Sequence, residues 1–144
     1  MTALKVLMPA LALLVLAACS GEPARPDKPE VPVVQVADVT QLTGDVEAGR
    51  VAFGQCRSCH TVEAGVNRVG PSLHAIVGRP VGTVADYRYS TAMAAVGGVW
   101  DEQHLYDFLE KPREVVPGTK MTFPGIKDGQ RRADLIAYLK TQAN

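Results

Sequence analysis

Cys56-Arg57-Ser58-Cys59-His60 is the stretch on which the reading of this chain turns. Two thiols three positions apart, followed at once by a histidine, form the pattern by which c-type haem is attached. The spacing has a physical reason. Residues three apart lie on one face of a helical turn, so Cys56 and Cys59 both reach the vinyl groups of one flat cofactor and form thioethers. His60 then stands against the same plate, where an imidazole nitrogen binds iron from the proximal side. Two other chemistries use a Cys-x-x-Cys pair. A thioredoxin-type redox site wants alternating strands and helices around it, and no such alternation is present. A zinc site wants further Cys or His ligands at suitable spacing, and the one remaining cysteine, Cys19, lies in a targeting segment.

Around that motif the pattern is helical. Asp45 begins a helix whose apolar side is Val46, Gly49, Val51, Ala52 and Phe53, closed by the cysteine motif. Gly49 has no side chain, so another helix can cross there at close range. The expected partner is the last helix, starting near Asp128, a good N-cap residue, with Leu135, Ile136, Tyr138 and Leu139 at helical spacing. A third helix begins at Asp101, turns Leu105, Phe108 and Leu109 inward, and stops at Pro112. A short helix from about Thr91 to Val96 is also expected. Strand signals are few. The fold class is all-α: a small domain wrapped on one cofactor.

The iron needs a sixth ligand from far along the chain. His74, His104, Met93 and Met121 have the chemistry. Met121 lies in Pro117-Gly118-Thr119-Lys120-Met121-Thr122-Phe123-Pro124, where proline and glycine restrict and bend the loop, which suits delivery of one thioether to a fixed point. His104 is expected to face solvent, and Met93 to fill core. Met121 is the choice.

At 144 residues, with 15 basic and 15 acidic side chains, the chain suits one domain and leaves no basic footprint for nucleic acid. Residues 1–18 read as a signal segment: Lys5 supplies the charged start, and the apolar run is too short to span a membrane comfortably. It ends Leu16-Ala17-Ala18-Cys19-Ser20, which resembles the lipobox of bacterial lipoproteins. That resemblance implies cleavage before Cys19 and lipid on its sulfur and amine. Several acyl chains hold stably where one holds marginally. Residues 19–43 then form a tether. Pro23, Pro26, Pro29 and Pro32 recur at the polyproline II period among charged residues with too little apolar surface to fold. Fully extended, residues 20–43 reach about 70 Å at roughly 3.1 Å per residue. Val31, Val33, Val34 and Val36 form a short strand or lie along the surface. The folded domain is assigned to residues 44–144.

That domain resembles class I cytochrome c of the mitochondrial and purple-bacterial type from Gly44 to about Gln142. The matching residues are Gly44 to Glu47 with Gly49 and Phe53, Cys56 to Val62, Gly70 to His74, Gly78-Arg79, Tyr89, Trp100, Pro117 to Met121, and Asp134 to Lys140. The resemblance implies crossed N- and C-terminal helices, one covalent haem, Cys56 and Cys59 as thioether anchors, and His60 and Met121 as axial ligands. It implies that the Pro71 carbonyl accepts a hydrogen bond from the ligand imidazole. It further implies that Arg79, Tyr89 and Trp100 hold buried propionates, whose charge needs such donors, and that Thr119 supports the methionine side.

There are departures. Phe108 stands where the family usually has a tyrosine near the methionine sulfur, and Met93 where an asparagine often belongs to a water network. One residue is missing between Phe53 and Cys56. The basic face is thinned to 12 basic against 11 acidic residues from Asp45 to Asn144, although Arg57, Arg68, Arg113, Lys120 and Lys127 remain candidates to ring the haem edge. A weak ring steers partners less, and a lipid tether offsets this by raising effective concentration.

The expectation is a non-enzymatic, monomeric one-electron carrier, held by lipid on the periplasmic side of the inner or outer membrane. It would pass electrons from a quinol-oxidising complex to a terminal oxidase or reaction centre. A ligand-binding sensor or weak peroxidase would require Met121 to leave the iron. A dedicated subunit of a periplasmic dehydrogenase would use the same chemistry with a fixed partner.

Overall fold

The structure, a computed structural model, describes residues 38–143. The signal segment, Cys19, the proline-rich run and Val31 to Val36 lie outside the described residues. Within them the order is a 3₁₀ turn Val39–Gln41, α1 (Val46–Ala52) running into a 3₁₀ turn Phe53–Gln55, α2 (Thr91–Ala94), α3 (Glu102–Glu110), α4 (Pro112–Val115), α5 (Gly129–Lys140) and a final 3₁₀ turn Thr141–Ala143. The only β pairing among the described residues is an isolated antiparallel bridge between Pro80 and Val99.

Each main helix starts where a carboxylate can take an orphan N–H. Asp45 accepts from Ala48 N–H at 2.8 Å, Asp101 from His104 N–H at 2.7 Å, and Asp128 from Arg131 N–H at 3.2 Å. Ser90 does the same for α2, accepting from Met93 N–H at 3.1 Å. The expected stop at Pro112 is present but double-edged. Lys111 leaves helical geometry at φ −148°, and Pro112 then opens α4, because proline lacks the N–H that a first helical turn leaves unused.

The centre of the fold is the packing of α1 on α5. A Cβ on Gly49 would collide with the Asp134 carbonyl, so the missing side chain sets how closely the helices approach. Asp134 fastens the crossing: its Oδ1 accepts from Asp45 N–H at 2.9 Å and from Gln130 Nε2 at 2.8 Å. Phe53 and Tyr138 meet at 5.4 Å between ring centroids. From α3, Leu105, Phe108 and Leu109 are buried as expected, with Tyr106 beside them.

Three expectations change. Of the apolar side expected for α1, Gly49, Ala52 and Phe53 are buried, but Val46 and Val51 are 40% and 69% exposed. The expected tether runs through Thr43, but Val39 is 6% exposed and part of the core, with Leu42 packed against it. Val39 N–H donates to Gln103 Oε1 on α3 at 2.9 Å. The physical reason is that Val39 and Leu42 give this short segment apolar surface to bury, while Asp38 closes the turn by accepting from Thr40 N–H at 2.8 Å. His104 was expected to face solvent. It is half-buried, its ring 4.5 Å from that of Trp100, with Nδ1 donating to the Val99 carbonyl at 3.0 Å.

Candidate functional site

The cysteine motif leaves α1 through the 3₁₀ turn and winds once more. Cys59 N–H and His60 N–H both donate to the Cys56 carbonyl, at 3.1 and 2.9 Å. This turn brings Cys56, Cys59 and His60 to one wall of a cavity of about 500 Å³. The next loop is tied back by two short-range anchors: Gly70 N–H donates to the Cys59 carbonyl and Leu73 N–H to the Thr61 carbonyl, each at 2.8 Å. The buried Ser72 hydroxyl donates to the Glu63 carbonyl at 2.5 Å, and Thr61 to that of Val66 at 2.6 Å. These bonds fix Pro71, whose carbonyl lies 2.7 Å from His60 Nδ1.

A carbonyl only accepts, so Nδ1 carries the proton and Nε2 keeps its lone pair. Gly70 lies flat against the imidazole; a Cβ there would strike the ring. Burial holds the His60 pKa below the usual imidazole value, partly opposed by the Pro71 bond. Burial, and secondarily the neighbouring Cys59, pushes the Cys56 thiol up to about 11. Both cysteines are free of disulfide. Among the described residues no group of three or more His, Cys, Asp or Glu could hold a metal ion.

The rest of the cavity is built from distant segments. Pro71, Arg79, Tyr89, Trp100, Thr119 and Met121 all line it, alongside Ile76, Met93, Leu105, Phe108, Leu135 and Leu139. His74 and His104 do not. Arg79 spends two of its five N–H groups on carbonyls, Nη1 on His74 at 2.8 Å and Nη2 on Ser72 at 3.0 Å. Tyr89 OH accepts from Val84 N–H at 3.3 Å. The Thr119 hydroxyl accepts from Met121 N–H at 3.3 Å. Phe108 and Met93 are 6% and 8% exposed, so two positions of the wall present a ring and a thioether with no hydroxyl or amide.

Tyr87 and Ser90 are among the lining residues that the sequence reading missed. Tyr87 stacks edge-on against Tyr89 at 4.8 Å and donates its hydroxyl to the Val69 carbonyl at 2.8 Å. The Tyr87–Tyr89 spacing, two apart as residues on one face of an extended segment are, is the available signal. Ser90 also reaches the cavity, though its side chain serves as the α2 cap.

The sequence model of the family described as Cytochrome c matches residues 46–143. This chain belongs to the cytochrome c family. It is 48% identical over 99 residues to cytochrome c of Guizotia abyssinica, spanning 67% of this chain and 89% of that one. With a cytochrome c homologue of Rickettsia conorii it shares 45% identity over 100 residues, 69% of this chain and 57% of that protein. Among solved structures it is similar to cytochrome cH from Methylobacterium extorquens, with 45% identity and a TM-score of 0.65 over 68% of this chain and 99% of the other.

As a cytochrome c, the protein is an electron carrier with covalently attached haem c. The residues present fit that group. The cavity has the size of a cofactor site and a largely apolar lining. Two free thiols and an imidazole with an available Nε2 stand on one wall, and the loop 117–124 brings the thioether of Met121 to the lining.

Proposed function

We propose that this cytochrome works with His60 and Met121 as axial iron ligands and Cys56 and Cys59 as thioether anchors. The His60–Pro71 hydrogen bond carries the reading. It selects the tautomer with a free Nε2, orients the ring, and raises its basicity as an outer-sphere partner does. Bound haem supplies a one-electron ferric/ferrous couple, and methionine with histidine places that couple at high potential. Pro71 orients the imidazole, Thr119 supports the Met121 backbone, and Arg79, Tyr89 and Trp100 supply donors to carboxylates of the cofactor. The apolar wall of Leu105, Phe108, Leu135 and Leu139 excludes water.

The carrier is further proposed to be anchored on the periplasmic side through lipid on Cys19, and to serve membrane-bound or periplasmic redox proteins as a monomer. The support is the Leu16 to Ser20 sequence and the proline-rich run behind it. No helix of the described residues is long and apolar enough to cross a membrane.

A redox titration of the haem protein, followed by carbon monoxide added to the reduced form, tests the axial pair. A clearly positive one-electron midpoint without carbon monoxide binding is expected. Ready binding would mean an open sixth position, and the assignment would be withdrawn. For the anchor, Cys19→Ala should release the protein into the soluble fraction; continued membrane retention would defeat that part.

A further inference from the structure

Arg132, on α5, is 1% exposed and takes no part in the carrier chemistry above. Its Nη1 donates to the carbonyls of Ile126 at 2.7 Å and Lys127 at 2.9 Å. Nη2 stands 3.4 Å from Glu110 Oε2, and the guanidinium lies over the Tyr106 ring, 4.0 Å from its centroid. Nε has no hydrogen-bond partner.

Stability alone does not account for this residue. A buried ion pair is often replaceable by apolar side chains of similar volume without loss, and an unmatched buried N–H is a cost. What leucine or methionine cannot do is bind two backbone carbonyls and a carboxylate at once, as a guanidinium fork can.

Those three acceptors bracket one loop. Glu110 is the last residue of α3, and Ile126 and Lys127 lie just before α5. Between them the chain makes its excursion through Pro117 and Met121. The base of the excursion is closed by Ile126 N–H donating to the Leu109 carbonyl at 2.8 Å and by Lys127 Nζ on the Glu110 carbonyl at 3.2 Å. Arg132 grips both sides of this base from a third element, the helix whose Leu135 and Leu139 line the same cavity.

The geometry points to Arg132 as a positioning residue for Met121. It ties the loop base to α5, so that the loop delivers its sulfur to one point of the cavity and keeps it there. This rests on Met121 as the axial ligand. With the base released, the sulfur leaves the iron more often, and a small exogenous ligand takes its place.

The test uses the intact haem protein and carbon monoxide as the probe. Arg132→Lys keeps the charge but loses the fork. Glu110→Gln, at a partly exposed carboxylate, keeps the fold while weakening the grip. Both should bind carbon monoxide in the reduced state about tenfold more readily than the parent, the worth of roughly one charge-assisted hydrogen bond. In the ferric state, base-induced loss of the methionine ligand should begin at lower pH, with the haem still covalently attached.

A lowered melting temperature with unchanged carbon monoxide binding and unchanged methionine loss would reduce Arg132 to a structural residue and overturn the inference. Met121→Ala is the control. If it binds carbon monoxide no better than the parent, the axial assignment itself has failed and the inference falls with it.

Discussion

His60 Nδ1 donates to the Pro71 carbonyl across 2.7 Å, and this one bond settles which imidazole nitrogen faces the cavity. Burial also holds the His60 pKa below its ordinary 6.5, because the charged form is the one penalised. The sign follows. A depressed pKa means the unfolded chain binds more protons than the folded one, so the stability from neutral His60 is complete above about pH 6.5 and is lost as pH falls through the folded value. Iron on Nε2 would compete with the proton further. The haem spectrum should therefore stay constant from pH 7 down through 6.5, with ligand loss only in stronger acid. A spectral transition centred near 6.5 would contradict the packing described.

Gly70 makes a second, steric demand on the same ring. Gly70→Ala should destabilise the haem protein by about 1–3 kcal/mol, the usual cost of overfilling a tight contact. Guanidinium unfolding reads it directly. An unshifted midpoint would mean the ring does not rest on that backbone.

Residues 38–43 belong to the domain through Val39 and Gln103. Val39→Asp should cost about 2 kcal/mol by placing a carboxylate in an apolar seat, and Gln103→Ala about 1 kcal/mol through the lost hydrogen bond. Limited proteolysis would then cut near Thr43 in both variants. Resistance equal to the parent would show that the segment's seat lies elsewhere.

Phe108 leaves the cavity wall without a hydroxyl beside Trp100, the two rings 5.0 Å apart. Phe108→Tyr should move the midpoint potential by about 40 mV if the new dipole distinguishes the two redox states by roughly 1 kcal/mol. Spectroelectrochemistry gives the shift. A midpoint within a few millivolts would exclude wall polarity at this position as a determinant.

What could be read in the amino-acid order was local. Asp45, Asp101 and Asp128 announce helix starts because a carboxylate and the first free N–H groups lie within three residues. Cys56 to His60 are legible because the cofactor needs them on one turn. What escaped depends on partners far along the chain. Val39 looks like tether until Gln103 is placed beside it. His104 looks exposed on its own helix and is covered only by the way Trp100 folds over it. Arg132 carries no local signal of burial on α5; its burial follows from carbonyls of a loop whose path no periodicity encodes. Each of these misses is a contact whose second half is specified elsewhere.

The Gly49–Asp134 crossing has a consequence for how the molecule is made. It joins the first and last helices of the domain, and Leu135 and Leu139 on the last helix are also part of the cavity wall. A chain emerging from its N-terminus therefore presents both cysteines and His60 well before the far side of their enclosure has been synthesised. Contacts this distant in sequence also form late, because a long loop must close first. The motif is thus presented before the last wall of its cavity, with Leu135 and Leu139, is in place.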